Sequence, residues 1–510
     1  MGASTRRALV LVGATAIVAA LTALVFRIRA GGDPADAATW PIQWELRSSD
    51  NGPLFQFLQD VVAGRPLDWS FSPQVFVFPE LPISAVAFLV TGGSIYGYYL
   101  VVAMLNNALL FVVLYGLMRV LHPDAAVLRA AVAMTPLLVF PLIGTSWILS
   151  FHLAPTYYFG MYAALLAAPL LVVSTSRPAT VSIGAALALT AASNPLVLLF
   201  AAPGTALALL LLVIRRGRRA ARVPVVVVGA TLAGALLLRI LFSPLQGTSP
   251  FTYVDPQVFA TRLSQIGPYY DFQARDPAAG VILSAGVVLA VACLGAAVVA
   301  TVRYARGEAS SMAVVYLGLI PLGGLAATFA LMITHYLYFW PVLILPFVLV
   351  LLAMPRVAVV PAAASGALLF LVVALVTGAA SNLGSADRFF GYRNAETMCL
   401  DEAVPGQLGY ATFSDARRLS LPSATGVRLI QIEHGLGPSH WLTNRAYSTS
   451  GAGTFFYVNG RGDELAIETE RLTEEFGQPD REVSCDDAQS VLIYDDPAKL
   501  ALIAAFYGVD

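Results

Sequence analysis

Lysine is almost missing from this chain: among its 30 basic residues only Lys499 is not an arginine. Charge of either sign is scarce, because charged residues make up 12% of the 510 positions. Soluble globular domains carry about a quarter, so this composition excludes that class for most of the chain. The net charge is −1, and the one dense arginine cluster sits beside an apolar run. A nucleic-acid partner, which needs a concentrated basic face against the phosphates, is therefore excluded. Cysteine is nearly as rare, with three residues and no Cys-x-x-Cys or Cys/His spacing, so a zinc module has no support. There is no phosphate-binding glycine loop of the Walker kind, no His-Glu-x-x-His and no Gly-x-Ser-x-Gly. An ATP-driven pump, a zincin and a serine hydrolase lack their signatures.

What is present is apolar length. Hydrophobic residues make up 58% of the sequence, with an Ala, Val, Leu and Gly excess that fits a GC-rich bacterial coding bias. Runs of about 18 residues or more recur, each long enough to cross a roughly 30 Å hydrocarbon core as a helix. The expected fold is an α-helical polytopic membrane protein of about eleven spans. They cover 8–27, 95–118, 129–147, 155–173, 179–193, 196–214, 223–242, 280–302, 312–332, 336–354 and 357–379. Residues 179–214 read either as two short helices hinged at Ser193-Asn194-Pro195 or as one kinked segment. The apolar stretch 82–92 is too short to span and reads as interfacial or re-entrant.

Arginine placement orients the spans. With the N-terminus in the cytoplasm, that side receives Arg6, Arg7, Arg119, Arg129, Arg177, the cluster Arg215, Arg216, Arg218, Arg219 and Arg222, then Arg303, Arg306 and Arg356. The short external turns near 150, 194 and 334 receive none, as the positive-inside rule requires. Arg27 and Arg29 are exceptions. Eleven spans from an inside start place the C-terminal region outside the bacterial inner membrane. A cleaved signal peptide is the alternative for the N-terminus; the long run and its ending in Arg27 and Arg29 argue against it.

Residues 1–384 thus form a transmembrane domain with two long external loops, 28–83 and 243–279, and residues 385–510 an extracytoplasmic α+β domain. In the latter, Leu408–Phe413, Val427–Glu433, Thr454–Val458 and Ser490–Tyr494 read as strands, and Ala466–Phe476 and Ala498–Tyr507 as helices. Cys399 and Cys485 both lie there, an even pair that suits a disulfide in an oxidising compartment; two unpaired buried thiols are the alternative, and Cys293 lies in a span. Trp441, Asn444 and Arg445 could touch a ligand, although a single Trp in a small domain is more often a core anchor.

The loop 28–83 holds Asp33, Asp36, Glu45, Asp50, Asp60, Asp68 and Glu80 among Trp40, Trp44, Trp69 and several Phe. A loop of that length between membrane helices is usually functional. Within it, 50–64 reads as a turn and an amphipathic helix ending at Gly64. Leu54, Phe57, Leu58 and Val61 share one face, which would lie along the membrane surface and hold Asp50 at the lipid boundary.

This order of an Asp in the first external loop, an amphipathic helix ending in Gly, an aromatic stretch and Phe78-Pro79-Glu80-Leu81-Pro82 resembles the GT-C superfamily. These are membrane glycosyltransferases, such as the protein O-mannosyltransferases and the lipid A aminoarabinose transferases, that use polyprenyl-phosphate-linked sugars. The resemblance extends over about three quarters of the chain, through Asn106-Asn107, the Ser193-Asn194-Pro195 turn and His335-Tyr336 leading into Phe339-Trp340-Pro341. It implies a fold of this class, a polyprenyl-phosphate sugar as donor and a glycan, lipid or protein as acceptor. It places Asp50 at the family's catalytic carboxylate and Glu80 in a segment that is commonly Pro-Pro-Leu. It leaves a divalent metal open, because some members use one and others do not.

The residues themselves fit such chemistry. An acceptor hydroxyl or amine must lose a proton as it attacks the anomeric carbon, and a carboxylate at the lipid–water boundary can take it. Arg239, near the external end of span seven, is the leading contact for the donor phosphate; an arginine snorkelling to the interface is the alternative. His335 is similar in kind, and in the second loop Asp271 and Arg275 could close over a sugar or lipid. A non-enzymatic reading stands beside the enzyme: a lipid-linked-glycan translocase or an envelope assembly partner. A translocase needs ionisable residues along a path through several spans, and apart from Arg239 the spans hold almost none.

Overall fold

The computed structural model describes residues 3–31, 49–144, 146–155, 159–173, 176–247, 255–308, 312–331, 339–380, 395–449, 451–460 and 467–508. Most of these are helical. Eight helices among the described residues are long and apolar enough to cross a membrane: Thr5–Ala30, Ile95–Leu121, Ala126–Ile143, Leu196–Arg215, Ala221–Leu241, Pro277–Ala305, Met312–Leu331 and Val357–Gly378. Each falls on one of the eleven expected spans. The other three segments are helical but short or broken. Segment 155–173 divides into Phe159–Ala167 and Leu170–Val173 around Pro169, which has no N–H for the helix ladder. Arg177–Ser193 has 17 residues. Segment 336–354 divides into Trp340–Leu343 and Leu345–Leu352, with Pro341 and Pro346 in their first turns.

Local sequence explains where the long elements bend and touch. Leu196–Leu241 comprises two apolar helices that meet at a kink at Gly217, where the backbone leaves helical geometry with φ +75°. Glycine takes that left-handed backbone without steric penalty, and here it falls inside the arginine cluster where the apolar run stops. The turn Ser193-Asn194-Pro195 separates two helices, as the hinged reading expects. Other glycines permit backbone contact between helices: a Cβ on Gly286 would lie 1.9 Å from the Leu343 carbonyl oxygen, and one on Gly323 2.1 Å from that of Phe200. Without water to drive apolar burial, membrane helices associate through such close packing.

Two arginines of the topology argument are buried by protein. Arg129 donates to the carbonyls of Leu352 (3.2 Å) and Met354 (2.6 Å), at the C-terminal end of helix Leu345–Leu352 where unpaired carbonyls collect. Arg29, an exception to the charge rule, donates to the Gly144 carbonyl at 3.0 Å and is buried. It therefore acts as an internal hydrogen-bonding group and not as a loop charge that sets orientation.

The strands, in chain order, are β1 (Trp69–Ser70), β2 (Leu408–Thr412), β3 (Arg428–Ile432), β4 (Thr443–Asn444), β5 (Phe455–Asn459), β6 (Arg481–Asp486) and β7 (Gln489–Ile493). Five of them form one sheet in the order β3-β2-β5-β7-β6, with β2 parallel to β3 and β5, and β7 antiparallel to β5 and β6. Strand alternation sends Phe455 and Tyr457 to a core with Leu400, Ala416 and Leu419, and Phe456 and Val458 to another with Leu472, Phe476 and Ile503. Helices thus cover both faces. Cys399, on helix Ala395–Ala403, is bonded to Cys485 on β6, with Cα atoms 5.6 Å apart, so the disulfide reading holds.

Candidate functional site

The segment 49–80 builds the site from three local features. A short turn, Ser49–Asn51, carries Asp50 and runs into helix Pro53–Val62, whose first position is proline, where the missing N–H costs nothing. The second feature is β1, which pairs antiparallel with β4 of the C-terminal region, Trp69 opposite Asn444 and Ser70 opposite Thr443. Phe71 continues the connection by donating to the Leu245 carbonyl at 2.7 Å. The third is the stretch 75–80. Val75 N–H donates to the Ser193 carbonyl at 2.9 Å and Phe78 N–H to Ser193 Oγ at 3.0 Å. The Ser193-Asn194-Pro195 turn is therefore the support on which this stretch rests. Phe76 has φ +53°, and the Phe78–Pro79 peptide is cis. A left-handed non-glycine residue costs of order 1–3 kcal/mol and persists only where its surroundings hold it.

These features bring Asp50 and Glu80 to one narrow cleft of about 10 Å³, room for about one water molecule, walled also by Asn51, Pro53, Leu54, Phe76 and Pro155. Asp50 is half-buried. Glu80 opens helix Glu80–Val90, which is too short to span, and is buried. Its Oε1 accepts from the Gly160 N–H at 3.1 Å. A Cβ at Gly160 would lie 2.4 Å from that oxygen, so only glycine admits the carboxyl there. Burial pushes the Glu80 carboxyl up to about 8, and the hydrogen bonds from backbone N–H groups offset this only partly. At neutral pH the Glu80 carboxyl is accordingly protonated. His152, three residues before Pro155, is buried, and burial lowers it to about 4, so its imidazole is neutral.

The amphipathic helix is held differently from its expected place on a lipid surface. Phe55 is buried against Phe88 and Tyr98, with ring centroids 5.3 and 5.1 Å away. Leu54 joins a cluster with Trp69, Phe71, Val75, Phe76, Trp441 and Leu442. Protein packs on both flanks, and of the four expected lipid-facing residues Val61 is the one that is exposed. The C-terminal region supplies the second flank, which a reading of the loop alone could not include.

Asp60, on the same helix, is fully buried and accepts from four donors. These are Arg65 Nη1 (3.0 Å), Trp69 Nε1 (3.0 Å), Asn444 Nδ2 (2.9 Å) and the Tyr447 hydroxyl. Burial, and then the Asp60 charge, raise Tyr447. Arg445 pairs with Asp68. Asn444 and Arg445, with Trp441 in the apolar cluster, thus fasten the C-terminal region to the first long loop, and Trp441 packs as an apolar anchor. Asp60 is a structural carboxylate, its lone pairs filled from both partners.

The remaining expected site residues lie elsewhere. Arg239 donates to the Ala192 carbonyl (3.3 Å) and Gln246 Oε1 (2.9 Å), bracing the turn that supports the cleft rather than lining it. Asp271 is exposed on helix Pro256–Ala274, and Arg275, just beyond it, places its guanidinium carbon 5.4 Å from the Phe272 ring centre. Neither joins the Asp50–Glu80 cleft. His335 lies outside the described residues, as do Asp33, Asp36 and Glu45. Among the described residues no three of His, Cys, Asp and Glu gather as a cation site. Comparison with protein-family models, with curated proteins and with solved structures returned no match.

Proposed function

We propose that this protein is a GT-C-type membrane glycosyltransferase that moves a sugar from a polyprenyl-phosphate donor to a glycan, lipid or protein acceptor. The observation that carries this reading is the convergence of Asp50 and Glu80, 30 positions apart, on a single cleft beside the turn against which helix Phe413–Ser420 packs. In the reaction, the acceptor oxygen or nitrogen forms a bond to the anomeric carbon as the bond from that carbon to the phosphate oxygen breaks. The acceptor proton passes to the Asp50 carboxylate, and polyprenyl phosphate leaves with the bonding electrons. Glu80, protonated at neutral pH, acts as a hydrogen-bond donor and not as a second base. A carboxyl kept protonated by burial can donate a hydrogen bond where a neighbouring carboxylate must accept a proton. At about 10 Å³ the cleft has room for about one water molecule, so in this reading its walls part to admit the reacting end of the substrates while the polyprenyl chain stays in the bilayer.

The broken segments 155–173, 179–193 and 336–354 complete eleven crossings in this reading. The N-terminus is then cytoplasmic in a bacterial inner membrane, and the cleft and C-terminal domain face the other side, where a polyprenyl-phosphate sugar is presented. Arg239 acts through the Ser193 turn, Asp271 and Arg275 are left for donor contacts away from the reacting carbon, and His335 keeps its expected part as a donor contact. The direct test reconstitutes the full chain in lipid nanodiscs with a panel of polyprenyl-phosphate hexoses and pentoses and a bacterial lipid and glycan extract. Release of polyprenyl phosphate with transfer of labelled sugar is expected for at least one donor. Absence of release and transfer with every donor would defeat the proposal.

A further inference from the structure

We infer that the C-terminal domain is part of the site's machinery, and that Arg417 is the residue through which it positions the Asp50 turn. This rests on the reading of Asp50 as the reacting carboxylate. Arg417 stands on helix Phe413–Ser420, which packs against the turn Ser49–Asn51. The side chain is 3% exposed, its guanidinium carbon sits 5.0 Å from the Phe413 ring centre, and Nη1 donates to the Leu442 carbonyl. A Cβ placed on Gly52, two residues from Asp50, would lie 3.4 Å from Arg417 Cδ and 2.6 Å from Leu421 Cδ1. The turn that carries Asp50 therefore lies directly on the stem of Arg417, with no room for a side chain between them.

The same bond holds a strained backbone. Leu442, whose carbonyl takes the Arg417 hydrogen bond, has φ +56° and is fully buried. It belongs to one apolar cluster with Leu54 and Phe76, both of which wall the cleft, and Phe76 is itself left-handed at φ +53°. Two non-glycine residues in this region of backbone space, one from each side of the junction, are stable only while the junction is closed. Arg417 thus joins the C-terminal sheet, the strained Leu442 and the Asp50 turn in one rigid unit. A positioning residue of this kind changes how often the carboxylate is aligned for attack and leaves donor binding almost untouched.

The experiment uses the full chain in nanodiscs and two readouts: amide hydrogen exchange of residues 49–62, and sugar transfer from polyprenyl-phosphate hexose. Arg417→Ala and Gly52→Ala should each raise exchange of 49–62 at least tenfold while β5 and β7 keep wild-type protection. In both, kcat should fall at least tenfold with the donor KM within twofold. Arg417→Lys, which keeps a stem and a donor for the Leu442 carbonyl, should recover most of both losses. If Arg417→Ala also exposes β5 and β7, Gly52→Ala decides the matter, because that substitution lies on the loop side of the junction. Unchanged exchange of 49–62 in Gly52→Ala, or raised exchange with unchanged kcat, overturns the inference. A wild-type protein inactive with every donor refutes the glycosyltransferase reading instead, and the exchange data alone then decide whether the domain positions the turn.

Discussion

Asp50 and Glu80 face one cleft, and Glu80 is the residue whose titration can be followed. Native Glu80 holds its proton up to about pH 8, whereas an unfolded glutamate releases it near 4.5. The native state therefore binds more protons between these values, and stability falls as pH rises from about 4.5 to about 8, then levels. Thermal unfolding in detergent should show that decline, and Glu80→Gln should remove it. Activity should fall on the alkaline side with a midpoint near 8, when a second negative charge enters beside Asp50. In Glu80→Gln that limb should disappear from the rate profile. Both carboxylates were legible in the sequence because polar residues stand out in an apolar chain. Arg417 was not, since nothing in its local pattern says that a helix more than 350 positions away will press on Gly52. Asp60 was visible as a carboxylate but not as a filled one, because two of its donors, Asn444 on β4 and Tyr447 on the turn that follows it, come from the C-terminal region. Tyr447→Phe removes one donor from this buried charge and should cost about 1–3 kcal/mol of unfolding free energy, read by thermal or denaturant unfolding.

At the scale of elements, hydrophobic length located the eight long apolar helices, since the energetic demand for about 20 apolar residues leaves little freedom. Its weakness lies where proline interrupts an apolar run, as at Pro169, Pro341 and Pro346, because hydropathy counts side chains and not backbone donors. In the sheet, β2, β3, β5 and β7 were readable from β-branched and aromatic runs. Strand β6 was not: Arg481-Glu482-Val483-Ser484-Cys485-Asp486 is polar and half-exposed at the sheet edge, where pairing with β7 decides the conformation. Helix contacts set by glycine give a sharp prediction. Gly286→Leu and Gly323→Leu would drive side chains into the Leu343 and Phe200 carbonyls. Each should lower the yield of folded, monodisperse protein in detergent severalfold, while a leucine at Gly295, where a Cβ meets nothing within 4 Å, should not.

For the whole molecule, the helical bundle and the C-terminal region are joined by β1–β4 pairing, the Asp60 hub and the apolar cluster around Trp441. The Cys399–Cys485 bond secures the sheet side of this junction across 86 residues of chain. A loop of that length is worth roughly 4 kcal/mol in chain-entropy terms. Reduction, or Cys399→Ala with Cys485→Ala, should therefore lower the unfolding temperature of the C-terminal sheet before that of the helices. The central claim is that Asp50 accepts the acceptor's proton in this junction, and the most direct measurement compares sugar transfer by wild-type protein and Asp50→Asn in the same nanodiscs. An amide keeps the shape and removes the base, so transfer should fall by about 10²–10⁴-fold with membrane insertion and unfolding temperature unchanged. Transfer by Asp50→Asn at the wild-type rate would contradict the assignment.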